Sequence, residues 1–486
     1  MKLRLVVGLA ALGAMFSSAA AFAIPIARTE APAPTAVAVA ETASGAHLAL
    51  GSTLLVDARL GHSSLGSGNG TADTYLFATV TGTESTPASA PALDLALVID
   101  RSGSMKGRRM ANALAAANLA VDRMKDGDSV LVVSFDTQAE VVLEPTVLGA
   151  ATRPRIKSAI DGIRLGGDTC ISCGLEEGKR ALDRAPAGPD RVRRMVLLSD
   201  GATNNGIRDV GGLKSLASLI REQSCAVTTI GVDLDYDEKI MSAIAVEANG
   251  NHYFVANSDT LSSVFTQEFE QLTSTLAQDA ALVVEPAPGV EIDEVFDRSF
   301  RRDGRRIIVP LGAYGPKEEK SLLLKLRVPV DHDGKSPVAD VKLAYRDLRE
   351  HRDAKFEGTL AVEVKNDGTR AELDPFVRAR VERSETAKSI AEASDLIANG
   401  RADEARRRLG LRTSQLGQAQ VVARHATSFA ARPSRARNFD QDFDDQVAAL
   451  ETAQKAADEA TRKKDAVATK AAPKVLRQLD TMKEFR

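Results

Sequence analysis

The chain has 486 residues, of which 44% are hydrophobic and 27% charged, a balance typical of globular proteins and a length that suggests two to four domains. The formal net charge of −3 gives no reason to expect nucleic acid as the main partner. Aromatic residues make up only 4% and tryptophan is absent, which argues against surfaces that stack on bases or sugars.

The first 23 residues have the pattern of a secretory signal peptide. Lys2 and Arg4 precede an apolar stretch over residues 5–16, and small residues then lead to an A-F-A cleavage site at residues 21–23. The alternative is an uncleaved anchor helix, but the apolar stretch is short for a membrane span, and no later stretch is apolar for long enough. We therefore expect an exported protein, periplasmic or secreted, with no transmembrane span after signal cleavage.

Residues 24–46 and 47–88 differ in composition. The first segment is rich in Ala, Pro and Thr without periodicity, which predicts a flexible linker. The second contains the alternating runs LLVDARL and TYLFATVTG, separated by GHSSLGSGNG. This alternation predicts a small N-terminal β element.

Residues 93–275 alternate short apolar strands with helical segments. LDLALVI, SVLVVSF and RMVLLS are apolar on both faces, and the segment after Lys106 has apolar residues along one helical face. This pattern predicts an α/β domain with a doubly wound, mostly parallel sheet that helices cover on both sides. The run AEVVLEP follows VLVVSFDT closely, which predicts a hairpin and so an antiparallel edge strand.

The last two regions are predicted to be all-β and all-α. Residues 278–366 contain runs such as RRIIVPLG and EKSLLLKLRVPV at a spacing that fits a β-sandwich-like domain. Residues 370–486 are rich in Ala, Glu and Arg, and Gly400 indicates a turn between two helices. The final 45 or so residues are very polar, which predicts a solvated helix or partial disorder.

The stretch LVIDRSGSMKG, residues 97–107, places a D-x-S-x-S pattern at the end of an apolar strand. Parallel α/β sheets bind ligands at the carboxyl ends of their strands. Asp100, Ser102 and Ser104 offer three oxygen atoms within one tight loop, and Gly103 allows the backbone to turn there. Hard oxygen donors at this spacing suit Mg²⁺.

Two further segments complete a set of five side chains. VLLSDG ends another apolar strand in Asp200, and the glycine-rich LGGDTCISCG carries Thr169. Together with D-x-S-x-S they resemble the metal-ion-dependent adhesion site of von Willebrand factor A domains. The resemblance implies that Ser102, Ser104 and Thr169 are direct or switchable metal ligands. It implies that Asp100 and Asp200 hold the metal directly or through water.

This resemblance covers roughly residues 93–275 and implies a function. The chain is similar to exported bacterial proteins with such a domain, and in architecture to inter-alpha-trypsin inhibitor heavy chains and calcium-activated chloride channel homologues. It implies a non-enzymatic adhesion module that holds Mg²⁺, or Ca²⁺ or Mn²⁺, and binds an Asp or Glu carboxylate of a protein partner. The alternative is a structural scaffold with a vestigial A domain. No G-x-S-x-G, phosphate-loop or H-E-x-x-H motif indicates an enzyme.

The three cysteines cannot form a four-cysteine zinc site within one chain. Cys170 and Cys173 frame the residues after Thr169, where the family pattern predicts polar or small residues. We expect a structural disulfide or two free thiols rather than a redox pair, because no thioredoxin-like context accompanies them. Cys225 begins an apolar strand and is expected to be buried.

Overall fold

The computed structural model describes residues 45–463 with gaps at 69, 85–88, 187, 234–235, 256–259 and 427–438, and also residues 472, 473, 475 and 476. The predicted signal peptide and nearly all of the predicted linker lie outside the described residues. Within the described part of the chain, no helix combines the length and the apolar character needed to cross a membrane.

The strands and helices of the described residues follow one another in a β–α/β–β–α order. The strands are β1 (His47–Gly51), β2 (Leu54–Leu60), β3 (Ser64–Gly66), β4 (Thr71–Gly82), β5 (Ala92–Asp100), β6 (Ser129–Phe135), β7 (Ala139–Val147), β8 (Arg191–Ser199), β9 (Cys225–Val232), β10 (His252–Val255), β11 (Ala277–Pro286), β12 (Glu291–Phe296), β13 (Arg301–Asp303), β14 (Arg306–Tyr314), β15 (Glu319–Pro329), β16 (Gly334–Asp347) and β17 (Arg352–Lys365). The helices are α1 (Arg108–Arg123), α2 (Arg153–Asp161), α3 (Ile171–Leu182), α4 (Val210–Arg221), α5 (Glu238–Glu247), α6 (Leu261–Thr273), α7 (Pro375–Ala398), α8 (Ala402–Ala426) and α9 (Phe439–Lys463), with a 3₁₀ turn at Gly103–Met105.

Strands β5 to β10 and helices α1 to α6 form the α/β domain. Its sheet has the order β10-β9-β8-β5-β6-β7, and every neighbouring pair is parallel except β6 and β7. Strand β7 is the predicted antiparallel edge strand, since the three residues between β6 and β7 cannot form a crossover helix. Helices α1, α2 and α6 pack on one face, and α3, α4 and α5 pack on the other. The predicted doubly wound fold is confirmed.

The strand order places the switch point of this sheet between β5 and β8. After β5 the chain runs through α1 to β6 on one side, whereas β8 returns to the other side of β5. A doubly wound sheet opens a crevice at such a point, outside the carboxyl ends of the strands. Asp100 is the last residue of β5, and Asp200 follows the last residue of β8. The two carboxylates therefore lie at the switch point.

The β-sandwich contains strands from both sides of the α/β domain. One sheet has the order β1-β2-β4-β15-β12, and the other has the order β13-β14-β11-β16-β17-β3. Strand β4 pairs along its length with β15, and β3 pairs with β17. The N-terminal strands, which the sequence presents as an element of their own, thus share one hydrophobic core with the later strands. Alternation shows which face of a strand is buried but not which strand lies beside it.

Helices α7, α8 and α9 form a helical region with a core of its own, to which Ile390, Leu409 and Phe443 contribute. Gly400, with a φ of +75°, lies between α7 and α8, where a turn is predicted. The buried Arg380 of α7 joins this region to the β-sandwich. Its Nη2 donates to Asp297 Oδ2 at 3.0 Å, which gives the buried guanidinium a counter-ion.

Candidate metal centre

The five predicted ligand residues come from three loops at the carboxyl edge of the α/β sheet. Backbone hydrogen bonds join the loop after β5 to the glycine-rich loop before α3. Gly103 N donates to Gly167 O at 3.0 Å, and Gly166 N donates to Arg101 O at 2.7 Å. Because these bonds use only backbone atoms, the two loops can lie side by side while the hydroxyl groups of their serine and threonine side chains face the crevice.

Thr169 is held against the third loop, which comes after β8. Its backbone N donates to Asn204 Oδ1 at 2.8 Å, and its carbonyl accepts from Asn204 N at 3.0 Å. A Cβ atom built on Gly201 would lie 3.2 Å from Thr169 Oγ1 and 3.5 Å from Ser104 Oγ. The two hydroxyl groups therefore border the same space, and glycine at position 201 keeps that space open.

The two serines and the two aspartates are linked by hydrogen bonds. Ser102 Oγ lies 3.1 Å from Ser104 Oγ, and Ser104 Oγ donates to Asp200 Oδ1 at 2.7 Å. Ser102 N donates to Asp100 Oδ1 at 2.8 Å. Asp100, Ser102 and Asp200 are buried, whereas Ser104 is exposed. The structure thus brings the five predicted residues to one place, which opens to solvent on the side of Ser104. We call this set the metal centre.

Ser199, the last residue of β8, is a residue that sequence reasoning missed. Its Oγ donates to Asp100 Oδ2, so both oxygens of Asp100 accept hydrogen bonds. The signal was present, since a serine ends the otherwise apolar run VLLS just before Asp200. It was missed because a serine at a strand end has many ordinary explanations.

Arg109 is a second residue that sequence reasoning missed. Its Nη1 donates to Asp200 Oδ2 at 2.8 Å and to the carbonyl of Ser104 at 2.9 Å, and its Nε donates to Asp233 Oδ2 at 3.0 Å. Arg109 lies in the first turn of α1, and the direction of its side chain depends on how that helix packs. A fixed positive charge therefore stands beside one of the two carboxylates of the metal centre.

Burial makes the two carboxylates of the metal centre costly to ionise. Burial raises the pKa of Asp100 to about 6, although hydrogen bonds from Ser199 and Ser102 lower it, and the charge of Asp200 raises it further. Burial also raises the pKa of Asp200, against hydrogen bonds from Ser104 and Arg109. Two buried, adjacent carboxylates of this kind favour a bound cation that compensates their charge.

Cys170 and Cys173 form a disulfide in the first turn of α3, with a Cα–Cα distance of 5.3 Å. Of the two states that the sequence left open, a structural disulfide or two free thiols, the structure has the disulfide, immediately after Thr169. A Cβ atom at Gly206, whose φ is +67°, would lie 2.6 Å from Cys170 Sγ, so the loop after β8 packs closely on the bridge. The disulfide therefore stiffens the segment that carries Thr169. Cys225 is buried, as expected.

The donor set fits a hard divalent cation. Across the described residues no cluster of three or more His, Cys, Asp or Glu side chains could hold a metal ion. The metal centre instead offers two carboxylates and three hydroxyls, which are oxygen donors of the kind that Mg²⁺ prefers. The space at Gly201, which a methyl group would fill, lies between two of these donors.

The von Willebrand factor type A domain family matches residues 94–267. Among solved structures, the fold is similar to a von Willebrand factor type A protein from Catenulispora acidiphila, with a TM-score of 0.62 at 19% identity over 81% of this chain and 96% of that chain. It is also similar to the ArnB paralog VWA2 from Sulfolobus acidocaldarius, with a TM-score of 0.60 at 17% identity over 88% of this chain and 97% of that chain. At these identities the likeness concerns the fold alone.

The curated proteins that align with this chain include the following two, which match about half of it. The uncharacterized protein sll0103 of Synechocystis sp. is 28% identical over 267 residues, which are 52% of this chain and 62% of that protein. The inter-alpha-trypsin inhibitor heavy chain H2 of Mesocricetus auratus is 24% identical over 233 residues, which are 46% of this chain and 24% of that protein. The chain thus spans less than two thirds of the length of either relative. The family match and the fold agree, and residues 94–267 are therefore a von Willebrand factor type A domain.

Proposed function

We propose that the α/β domain is a non-enzymatic binding module that captures an acidic side chain of a protein partner through a divalent cation at the metal centre. The observation that carries this proposal is the exposure pattern of the five donors. Four of them are buried and Ser104 is exposed, so a cation held there is enclosed by the protein on one side and reachable from solvent on the other. A carboxylate from a partner can approach from the side of Ser104.

The cation would supply one thing, which is a coordination position for a partner's carboxylate. The residues of the chain do the rest. Ser102, Ser104 and Thr169 supply neutral oxygens, which bind the cation without cancelling its charge. Arg109 partly neutralises Asp200 through the 2.8 Å ion pair. The donor set therefore carries less than two full negative charges, so that positive charge remains to attract an incoming carboxylate.

Magnesium is the proposed cation, with Ca²⁺ or Mn²⁺ as substitutes, since the donors are oxygens alone. We propose further that the protein works outside the cytoplasm, in the periplasm or after secretion, on the basis of the signal-peptide pattern in residues 1–23. Cell fractionation of the full chain and of a chain that lacks these residues tests the location. Recovery of both chains in the cytoplasm would contradict it.

The binding proposal is tested by capture from an extract of the producing cells in the presence of Mg²⁺. The immobilised protein is compared with the Asp100→Ala variant and with wild type in EDTA, and Asp126→Ala serves as control because that aspartate is exposed just beyond the other end of α1. We expect a partner that wild type and control retain and that the other two conditions lose. When the acidic residues of the recovered partner are replaced one at a time, one of these substitutions should abolish capture.

One observation favours a second candidate, the structural scaffold with a vestigial A domain. Arg109 already gives Asp200 a positive partner, as a side chain that replaces a lost metal would. The same experiment separates the two functions. Capture that survives both EDTA and Asp100→Ala would favour the scaffold and contradict the metal-dependent module.

A further inference from the structure

A second polar site lies where the α/β domain meets the β-sandwich. A cavity of about 40 Å³ opens there, and we call it the junction cavity. Arg194, Asn249 and Asn251 line it from the α/β domain, and Arg298 and Tyr314 line it from the β-sandwich. A space of this size exceeds the roughly 10–15 Å³ that one water molecule needs, so it can hold a ligand of a few atoms.

Some residues that line the junction cavity have hydrogen-bonding atoms without partners. Arg298 Nη2, Asn249 Nδ2 and Tyr314 OH are buried and have no hydrogen-bond partner among the described residues. Arg194 Nε also makes no hydrogen bond there, but it lies 3.4 Å from Glu268 Oε1 in an ion pair. These are four of the eleven such atoms in the described part of the chain, so they are concentrated at one place. A buried polar atom without a partner costs about 1–3 kcal/mol, which makes this concentration unfavourable unless a ligand satisfies it.

Arg298 is the lining residue whose hydrogen bonding and charge are least satisfied. Its Nε donates to the carbonyl of Ser321 at 2.9 Å, but no ion pair of its guanidinium is found among the described residues. Nearby Arg380, which is buried, pairs with Asp297 at 3.0 Å. Burial lowers the pKa of Arg298 to about 10, and the charge of Arg380 acts in the same direction, whereas Tyr314 and the charges of Asp297 and Glu318 raise it. A guanidinium with a buried nitrogen and no ion pair is disfavoured, and an anion in contact with it would relieve that cost.

The other charged groups at the junction cavity already have ion-pair or hydrogen-bond partners. Arg194 pairs with the buried Glu268 at 3.4 Å. Lys320 Nζ donates to two carbonyl oxygens of β14 and lies 3.5 Å from Glu318, whose other oxygen accepts from Gly315 N. The fourth of these groups, Glu319, accepts a hydrogen bond from Thr81 Oγ1. Arg298 is therefore the charge that a ligand would neutralise.

We propose that the junction cavity binds a small oxyanion, either a carboxylate or inorganic phosphate. Apart from the ion-paired Arg194 Nε, the partnerless atoms are two N–H donors and one phenol, so the matching ligand is an acceptor, and guanidinium groups pair best with carboxylate and phosphate oxygens. The ligand would contact the α/β domain through Asn249 and the β-sandwich through Arg298 and Tyr314. It would thereby hold the two domains together, and this role does not depend on the metal centre.

The test uses the full chain in HEPES and chloride with EDTA, so that divalent cations play no part. Inorganic phosphate and, separately, acetate are titrated by calorimetry into wild type, Arg298→Gln and Tyr314→Phe. Arg302→Gln is the matched control, because Arg302 is an exposed arginine of the neighbouring strand β13. Asp100→Ala is included to show independence from the metal centre.

We expect one saturable site for at least one probe in wild type, Arg302→Gln and Asp100→Ala. Affinity should fall on the order of tenfold or more in Arg298→Gln, and less in Tyr314→Phe, which loses a single hydroxyl. The bound probe should also raise the melting temperature of wild type but not that of Arg298→Gln. If Arg298→Gln does not fold, the Tyr314→Phe result decides.

Three results would overturn the proposal. They are the absence of saturable binding by either probe, equal binding by wild type and both cavity variants, and a crystal structure grown with the probes in which the junction cavity holds only water. None of these results bears on the metal centre. Failure here is therefore distinguishable from failure of the proposed function.

Discussion

The α/β domain and the β-sandwich both bury apolar strands, but they differ in where the loops that follow the strands lie. In the α/β domain, β5 and β8 stay buried to their last residues, and Asp100 and Asp200 then lie together at one edge. In the β-sandwich, most neighbouring strands are antiparallel, so the loops between them lie at both ends of the sheets. Parallel strands thus collect polar loops at one edge, whereas antiparallel strands distribute them. We infer that the proposed metal-dependent binding belongs to the α/β domain and that the β-sandwich contributes mainly to stability.

The largest expected effect separates stability from metal binding. Leu324 is fully buried in the core of the β-sandwich. Leu324→Ala should lower the free energy of unfolding by about 2–5 kcal/mol, measured by urea denaturation, because it removes apolar contacts and leaves a cavity. The affinity of the folded variant for Mg²⁺ should not change. Leu411→Ala is the control, since Leu411 is 62% exposed and its loss should cost little. A loss of Mg²⁺ affinity in folded Leu324→Ala would contradict the claim that the β-sandwich core affects stability but not metal binding.

The next effect belongs to the metal centre alone. In Gly201→Ala the new methyl group would lie 3.2 Å from Thr169 Oγ1, so the hydroxyl groups must move apart. Affinity for Mg²⁺ should fall by roughly 10–100-fold, as when the surroundings of metal ligands are altered, with little change in the urea midpoint. Gly149→Ala is the control, because a Cβ there meets nothing within 4 Å. Equal Mg²⁺ affinity in both variants, measured by calorimetry, would argue against a site at Gly201.

A smaller effect tests the charge beside the metal centre. Arg109→Gln removes the cation that pairs with Asp200, so affinity for Mg²⁺ should rise several-fold while capture of an acidic partner weakens. Both changes should shrink at high salt. Arg108→Gln removes the same charge from the neighbouring, exposed position and should change little. Weaker Mg²⁺ binding in Arg109→Gln would instead mean that Arg109 positions Asp200.

The smallest effect is a pH dependence confined to the β-sandwich. Burial lowers the pKa of His62 from the ordinary histidine value of 6.5 to about 4, with the charges of Arg370 and Arg378 adding to the shift. The unfolded chain therefore takes up a proton near pH 6.5 that the folded protein does not bind. Stability from this residue is complete above pH 6.5 and falls as the pH drops toward 4.

Between about pH 7 and pH 6 the loss from His62 should be under about 1 kcal/mol. It is measured as the difference in urea midpoints between wild type and His62→Gln at the two pH values. An identical pH dependence in both proteins would contradict the assignment to His62. The occupancy of the metal centre should not affect this difference in urea midpoints, so it should be the same with and without Mg²⁺.

The metal centre was largely predictable because its parts are local in sequence. Asp100, Ser102 and Ser104 occupy one loop, and the ends of parallel strands must meet at one edge of a sheet. Thr169 came from the family resemblance rather than from any pattern of its own. Arg109 could not be predicted, since its contact with Asp200 depends on how the first turn of α1 is oriented.

The β-sandwich was predictable as strands but not as an assembly. Alternation in LLVDARL and EKSLLLKLRVPV predicts strands with one buried face, and β2 and β15 show that burial. Nothing in either run indicates that the N-terminal strands pair with strands that come after the α/β domain. The junction cavity could not be predicted for the same reason, because Asn249 and Arg298 line one cavity only when both domains are in place.

The central claim is that five oxygen donors hold one divalent cation. Calorimetric titration of Mg²⁺ into EDTA-treated, dialysed protein tests it most directly, with wild type compared against Asp100→Ala of unchanged circular dichroism and melting temperature. We expect one binding site in wild type and none in the variant. Equal Mg²⁺ binding by the two proteins, or no binding by wild type, would contradict the claim.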